Sequence, residues 1–148
     1  MAGLSVSLIG CSKRKLGRSA PARELYLGQT FRLALRYAEA RADRTFVVSA
    51  LHGLVLLEQE LEPYDFTLAR DRRRRVDRDR WADAVVAELA RAAGVPSSLE
   101  LLLGEAYAWP LVRAIGRRQE RGAERWPAPT MPLASFGTGQ AKRWLASR

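Results

Sequence analysis

The segment Leu4-Ser-Val-Ser-Leu-Ile9, followed at once by Gly10-Cys-Ser-Lys-Arg-Lys15, decides the fold. Its first six residues alternate and then become wholly apolar, which is typical of a strand buried in a sheet. Residues 23–42 carry apolar side chains at three- and four-residue spacing and predict a helix, and the β-branched run at 44–50 predicts a second strand. A strand, a helix and a strand in this order form a unit whose two strands are parallel.

The rest of the chain continues this alternation. Residues 51–70 show no sustained period and predict a long structured loop, residues 76–93 a second amphipathic helix, and residues 98–103 a third strand. A third helix follows through residue 115, then a proline-rich connection that cannot be helical, and a short helix at 139–146. We therefore expect one α/β domain over residues 1–148, with a small, mainly parallel sheet of three or more strands flanked by helices.

The charge balance favours an anionic partner. The 148 residues include 25 Lys and Arg against 16 Asp and Glu, a formal charge of +9. Such a surplus attracts nucleic acid, anionic membranes or phosphorylated substrates, although a merely solvated surface has the same composition. The single cysteine and the absence of a Cys/His cluster predict no disulfide, no metal and no cofactor, and fit the cytoplasm. No apolar run is long enough for a membrane span.

The loop after the first strand is suited to an anion. Ligands of open α/β sheets bind at the carboxyl ends of the strands, which is where this loop lies. Ser12 offers a hydroxyl, Lys13 and Lys15 offer charges, and the backbone offers N–H donors. Solvated lysines and a Cys11 that packs as a small apolar residue are the structural alternative.

A second group follows the second strand. Ser49, His52 and Gly53 stand at its end, and Tyr64 and Asp65 come a little further on. Imidazole exchanges a proton near neutral pH, and a carboxylate that folds back over the first loop is a candidate acid or base. A lone histidine is as often structural, so both interpretations of His52 stay open.

Two further groups lie near the end of the chain. Glu105 and Tyr107 follow the third strand, where an acid can bind a sugar hydroxyl and an aromatic ring, like that of Tyr26 earlier in the chain, can stack on a base. A structural role in the following helix explains Glu105 and Tyr107 equally well. The Gly-x-Gly turn at Gly137 and Gly139 opens the last helix and, with Lys142, offers amides and charge to a phosphate.

The arginine-rich segment at 70–80 has a local explanation. Seven arginines alternate there with three aspartates. Helical spacing lets Asp71 pair with Arg74 or Arg75, and Asp77 or Asp79 with their own neighbours, which predicts a self-compensated solvated face.

The order of these blocks resembles a group of small uncharacterised bacterial and phage domains. It is distantly similar to the YaaA peroxide-stress proteins and, in the Cys-Ser-Lys and Ser-apolar-Gly-Leu blocks, to the core domain of archaeosine synthase. The resemblance implies a function around nucleic acid, either DNA binding or modification of a nucleobase. The fuller archaeosine synthase motif is absent after Lys15, so its lysine-adding reaction is not implied. The resemblance implies a shared pocket that includes Cys11, Ser12, Lys13, Lys15, Ser49, His52, Gly53, Pro63, Tyr64 and Asp65.

Three hypotheses follow. The first is an enzyme that acts on a nucleobase in a nucleic acid, of the glycosidase or base-modifying type, with Asp65, His52 or Glu105 as acid or base. The second is a non-catalytic DNA-binding stress protein, and the third is an enzyme on free nucleotides or nucleosides. The predicted partner is nucleic acid, with DNA favoured over RNA, or a nucleotide, and not a membrane.

Overall fold

The computed structural model describes residues 3–66, 75–122 and 124–148. In chain order its elements are β1 (Ser5–Gly10), β2 (Ala20–Pro21), α1 (Ala22–Leu25), α2 (Gln29–Arg41), β3 (Arg44–Ser49), β4 (Gly53–Leu56), β5 (Glu60–Leu61), α3 (Arg75–Ala93), β6 (Ser98–Leu102), α4 (Glu105–Arg121) and α5 (Thr138–Ala146).

The central sheet of the described chain has four strands in the order β4-β3-β1-β6. β1 runs parallel to both β3 and β6, and β4 pairs antiparallel with β3. The mainly parallel sheet flanked by helices is confirmed. β2 and β5 form a separate two-stranded ribbon.

Each face of the central sheet packs against its own pair of helices. Val6 and Leu8 of β1 pack with α3 and α4, whereas Ile9 packs with α2 and α5. This division follows from the two-residue period of a strand, which sends successive side chains to opposite faces. The apolar strand residues therefore serve two core layers.

The prediction of one long helix over residues 23–42 is wrong, because the helix is interrupted. The structure has a single turn, α1, then an extended break at Tyr26–Gly28, and only then α2. Tyr26 is buried and forms a bridge with Lys15, and the Gly28 N–H donates to the Ser12 hydroxyl. These long-range contacts override the local helical period.

Two other boundaries differ from the sequence prediction. The part of residues 51–70 that the structure describes contains β4 and β5, where only a loop was predicted. α4 continues to Arg121 rather than ending near Ile115, and it includes Pro110 in its second turn. The turns past Ile115 are polar and include Arg117, which donates to Asp83 of α3 at 2.7 Å, so contacts with α3 rather than an apolar face accompany the extension.

The proline-rich connection lies along the outer edge of β6. The Leu101 N–H donates to the Thr130 carbonyl at 2.8 Å, and the Thr130 N–H donates to the Leu99 carbonyl at 3.0 Å. Thr130 therefore hydrogen bonds to the edge strand β6 without adding a further strand to the sheet. No helix of the described residues has the length and apolarity that a membrane crossing needs.

Candidate functional site

The chain leaves β1 and β6, which are neighbours, toward opposite faces of the sheet. β1 leads to α2 on one face and β6 leads to α4 on the other. In open α/β sheets this divergence opens a crevice at the carboxyl ends of the two strands, which is the usual place for a ligand. A cleft of about 610 Å³ lies there, and we call it the switch-point cleft.

Four segments line the switch-point cleft. They are the loop after β1, the start of α2, the loop after β6 with the start of α4, and the start of α5. The lining residues are Gly10–Arg14, Gly28–Phe31, Ala34, Leu102–Tyr107, Leu133, Phe136, Gly137, Ala141 and Lys142.

Three helices of the described chain begin at this cleft. α2, α4 and α5 are preceded by Gly28, Gly104 and Gly137, and none of these N-cap positions supplies a side-chain cap. The first N–H groups of a helix have no intrahelical acceptor and carry a partial positive charge. Three such ends at one hollow favour an anionic ligand, because each offers N–H donors.

The glycine before α2 is required by close packing. A Cβ at Gly28 would lie 2.7 Å from the Ser12 Cβ, which is closer than real side chains approach. The Gly28 N–H instead donates to the Ser12 hydroxyl at 3.1 Å, and that hydroxyl donates to the Arg14 carbonyl at 2.6 Å. Ser12, predicted as a ligand-binding residue, lines the cleft with its hydroxyl engaged in shaping the loop.

The lining of the cleft has a charged part and an apolar part. Lys13 and Arg14 at one end and Lys142 on α5 provide positive charge, while Glu105 is the acidic residue of the lining. The lining also includes apolar side chains, among them Phe31, Leu133 and Phe136. The cleft therefore suits a ligand with an anionic part and a flat or apolar part.

Tyr107 lies at the cleft and also contacts the hydrophobic core. It lines the cleft, and its ring meets Trp81 edge to face with centroids 5.7 Å apart. Trp81 is buried, and its indole N–H donates to the Ser49 carbonyl at 3.0 Å. A fixed core residue therefore holds Tyr107 in place at the wall of the cleft.

The remaining predicted residues form a second group, which we call the tyrosine cluster: Lys15, Tyr26, Ser49, His52 and Tyr64. The Tyr64 hydroxyl hydrogen bonds to the Tyr26 hydroxyl at 2.5 Å and to the Ser49 hydroxyl at 2.7 Å. The Lys15 ammonium lies 4.4 Å from the centre of the Tyr64 ring, and the His52 ring meets it edge to face at 4.9 Å.

The core of the tyrosine cluster is tightly packed, whereas the cleft is open. Tyr26 and Ser49 are fully buried, and the Ser49 hydroxyl also accepts the N–H groups of Leu51 and His52. Tyr26 therefore has no ring face for a base, so its predicted stacking role is wrong, and Ser49 serves the turn after β3. None of the five cluster residues is part of the cleft lining that the structure describes.

Burial changes the acid–base behaviour of the cluster. Desolvation raises the pKa of Tyr26 to about 12 and raises that of Tyr64 as well. Desolvation also lowers the pKa of Lys15, which Cys11 and Asp65 partly offset by favouring the ammonium. Asp65 thus acts on Lys15, while Cys11 lines the cleft and influences the cluster too.

Two predicted glycines lie at the starts of β4 and α5. Gly53 adopts a φ of +72° at the start of β4, and a Cβ there would lie 3.1 Å from a Glu88 carboxylate oxygen. This positive φ forms the sharp turn into β4, and the predicted role of Gly53 in close ligand approach stays a prediction. Gly139 lies exposed within the first turn of α5, beside Arg143 rather than in the cleft lining.

Of the three predicted acid–base residues, the cleft lining includes Glu105 and not His52 or Asp65. His52 is an exposed member of the tyrosine cluster, and Asp65 is exposed and acts on Lys15 of that cluster. Residues 70–74 of the arginine segment lie outside the described residues. Asp79 pairs with Arg113 of α4 at 3.1 Å and lies 3.8 Å from Arg117. The predicted pairing of Asp77 or Asp79 with neighbours on α3 stays a prediction.

Sequence reasoning missed the start of α2. Gly28, Gln29 and Thr30 line the cleft, but the helical period was extended across them. The available signal was Gly28 itself, because a glycine inside a helical pattern marks a possible break. Among the described residues no group of three or more His, Cys, Asp or Glu side chains is placed to hold a metal ion.

Fold and cleft together define an open α/β domain with a ligand crevice at its topological switch point. The chain belongs to a family of unknown function, DUF6884, whose model matches residues 6–147. No curated protein and no solved structure matches the chain.

Proposed function

We propose that this domain is an enzyme that binds one nucleotide unit in the switch-point cleft and processes its nucleobase. The observation that carries the proposal is the convergence of three glycine-preceded helix N-termini and two lysines on a cleft that also has an apolar wall. At α5 the Gln140 side chain accepts the Gly137 N–H at 3.0 Å, so α2 and α4 offer the ends without a side-chain cap. A nucleotide combines these two chemistries, an anionic phosphate and a flat base.

The phosphate is assigned to the cationic part of the cleft. Backbone N–H groups at helix starts and the Lys13 and Lys142 ammonium groups provide donors and positive charge. The formal charge of +9 adds a long-range attraction for polyanions. Binding should therefore weaken as salt rises, with a slope that reflects the number of phosphates contacted.

The base and sugar are assigned to the rest of the cleft. Small-molecule sites commonly enclose about 300–1,000 Å³ and are lined mostly by apolar and aromatic groups. The cleft volume of about 610 Å³ lies within this range, and Phe31, Phe136 and Tyr107 provide aromatic surface. A base in a nucleic acid would reach such a cleft only after leaving its stack.

Glu105 is the proposed acid–base residue. It is exposed at the first position of α4 and faces a cleft that is otherwise cationic. A carboxylate there disfavours simple phosphate binding but suits hydrolysis of a glycosidic bond, where it accepts a proton from the attacking water. The water oxygen bonds to the anomeric carbon, the carbon–nitrogen bond breaks, and the proton passes to the departing base.

The resemblance to nucleobase-modifying and DNA-binding families supports the same substrate class. We place the reaction in the cytoplasm, where Cys11 at the cleft would stay reduced. Asp65 and His52 are assigned no contact with the substrate.

The test measures binding and chemistry separately. Purified protein is titrated with nucleoside 5′-monophosphates and with single-stranded oligonucleotides carrying normal and modified bases, and released base is quantified by mass spectrometry. We expect Glu105→Gln to keep binding while base release falls about 100-fold or more. Lys13→Ala combined with Lys142→Ala should weaken binding about tenfold or more.

The controls are Arg91→Ala and Asp65→Asn. Arg91 is exposed in the last turn of α3, away from the cleft lining, and Arg91→Ala removes one positive charge, the same change as either lysine substitution alone. If the wild-type protein binds neither ligand class, the proposal fails. If it binds oligonucleotides but releases no base, the non-catalytic binding hypothesis replaces it. If Asp65→Asn abolishes release and Glu105→Gln does not, the site is misplaced.

A further inference from the structure

A second hollow adjoins the switch-point cleft. It measures about 330 Å³ and is lined by Arg78, Glu105, Ala106, Trp109, Pro110 and Arg113. Glu105 and Ala106 line both hollows, so the two share a boundary at the first turn of α4. A ligand that extends beyond the cleft across this boundary enters the second hollow directly.

The second hollow presents an exposed tryptophan. Trp109 is 45% exposed, whereas Trp81 and Trp126 are buried and Trp144 is half-buried against Tyr37. The exposed indole of Trp109 is free of the core packing that holds Trp81 and Trp126, so its ring is accessible to a ligand in this hollow. Its ring offers a flat surface that can stack on any base.

Trp109 belongs to a row along α4. Glu105, Trp109 and Arg113 are spaced four residues apart and so lie on one face of the helix. The row begins at the boundary with the cleft and leads away from it. A chain of nucleotides that follows this face would meet an acid, an aromatic ring and a cation in turn.

The cation of this row is held in position. The Arg113 Nε and Nη2 atoms both donate to the Asp79 Oδ1, at 3.2 and 3.1 Å. A guanidinium has five N–H donors, so others remain for a phosphate oxygen. Arg78 of α3 lines the same hollow.

We infer that the second hollow binds the nucleotide next to the one in the cleft, so that the substrate is a single strand rather than a free nucleotide. The neighbouring base stacks on Trp109, and its phosphate lies between Arg78 and Arg113. Continuity with the cleft, the positive charge of the arginines and the exposed indole all favour this occupant. The inference rests on the proposed function, because it requires a nucleotide in the cleft.

The test compares two probes on the wild type and four variants. The probes are a mixed-sequence twelve-nucleotide single-stranded DNA labelled at one end and the nucleoside 5′-monophosphates. Trp109→Ala should weaken binding of the DNA by roughly fivefold to 150-fold, the cost of losing one base–aromatic stack. Its affinity for the monophosphates should stay within about twofold, and Trp109→Phe should restore most of the DNA affinity.

Leu56→Ala is the matched control. Leu56 is 46% exposed on β4, at the opposite edge of the sheet from β6, so its truncation removes equally exposed apolar surface elsewhere. DNA affinity should not change in this variant. As a second readout, the DNA should quench the tryptophan fluorescence of the wild type, and the quenching should be smaller in Trp109→Phe.

The failures of the two proposals are distinguishable. If Trp109→Ala binds the DNA as tightly as the wild type while Lys13→Ala with Lys142→Ala weakens both probes, the inference is overturned and the proposed function stands. If Trp109→Ala weakens both probes equally, Trp109 serves the cleft and the inference is again overturned. If the wild type binds neither the DNA nor the monophosphates, both proposals are overturned.

Discussion

The switch-point cleft and the tyrosine cluster share the loop after β1 but have opposite character. The cleft leaves helix N–H groups uncapped around an open volume, whereas the cluster directs each buried hydroxyl to a partner. The loop after β1 supplies Lys13 to the cleft and Lys15 to the cluster. Alternate residues of one loop can therefore serve binding and stability.

The largest effect on stability is expected in the cluster. Tyr64→Ala removes a ring that packs on the core and leaves the Tyr26 and Ser49 hydroxyls without their shared partner. We expect a loss of about 3 kcal/mol in the free energy of unfolding, measured by urea denaturation.

Phe136→Ala is the matched change in the cleft. Phe136 is also a half-buried aromatic residue packed on the same core layer, but it borders open volume. Its truncation should cost about 1 kcal/mol, since less packing is lost. Equal losses in the two variants would contradict the distinction between a packed cluster and an open cleft.

Gly28→Ala tests the joint between the loop after β1 and α2. The new Cβ would meet the Ser12 Cβ at 2.7 Å, so the loop must shift. We expect a loss of about 2 kcal/mol in unfolding free energy together with weaker nucleotide binding. Gly17→Ala, where no atom lies within 4 Å of the new Cβ, should be close to neutral. Unchanged stability and binding in Gly28→Ala would refute the packing argument.

Alkaline pH should weaken the cluster. Because the pKa of Tyr26 is raised to about 12, the folded state holds a proton that the unfolded chain loses near pH 10. The protonated Tyr26 hydroxyl therefore contributes fully to the free energy of unfolding below pH 10. As pH rises toward 12, the free energy of unfolding falls by about 1 kcal/mol or more. Unfolding free energies of the wild type and Tyr26→Phe across this range give the measurement. If the free energies of unfolding of the two proteins fall in parallel as pH rises, Tyr26 does not contribute to the pH dependence of stability.

The smallest effect concerns Lys15. Desolvation lowers its pKa, so more of its amine is neutral at a given pH than in an ordinary lysine. Mild acetylation followed by mass spectrometry should show Lys15 reacting at lower pH than a lysine in a short unfolded peptide. Because Asp65 favours the ammonium, Asp65→Asn should shift the reaction to lower pH still. A shift in the opposite direction would contradict this account.

Local sequence patterns predicted much of this fold. The apolar runs located β1, β3 and β6. The rule that ligands bind at strand ends singled out the loops of Lys13 and Glu105, and the Gly-x-Gly turn singled out Lys142; all three residues line the cleft. The break at Gly28 was not predicted, because it depends on contact with Ser12, far away in sequence. The separation of Lys15 from the cleft was also not predictable, since it depends on Tyr64 folding back from a later loop.

The contact of Thr130 with β6 has a consequence for the behaviour of the protein in solution. An unpaired edge strand offers a row of N–H and carbonyl groups to which another molecule can add a strand. Thr130 occupies the groups of Leu99 and Leu101, and the prolines at 127, 129 and 132 have no N–H with which to continue the ladder. The segment thereby protects this side of the sheet against aggregation.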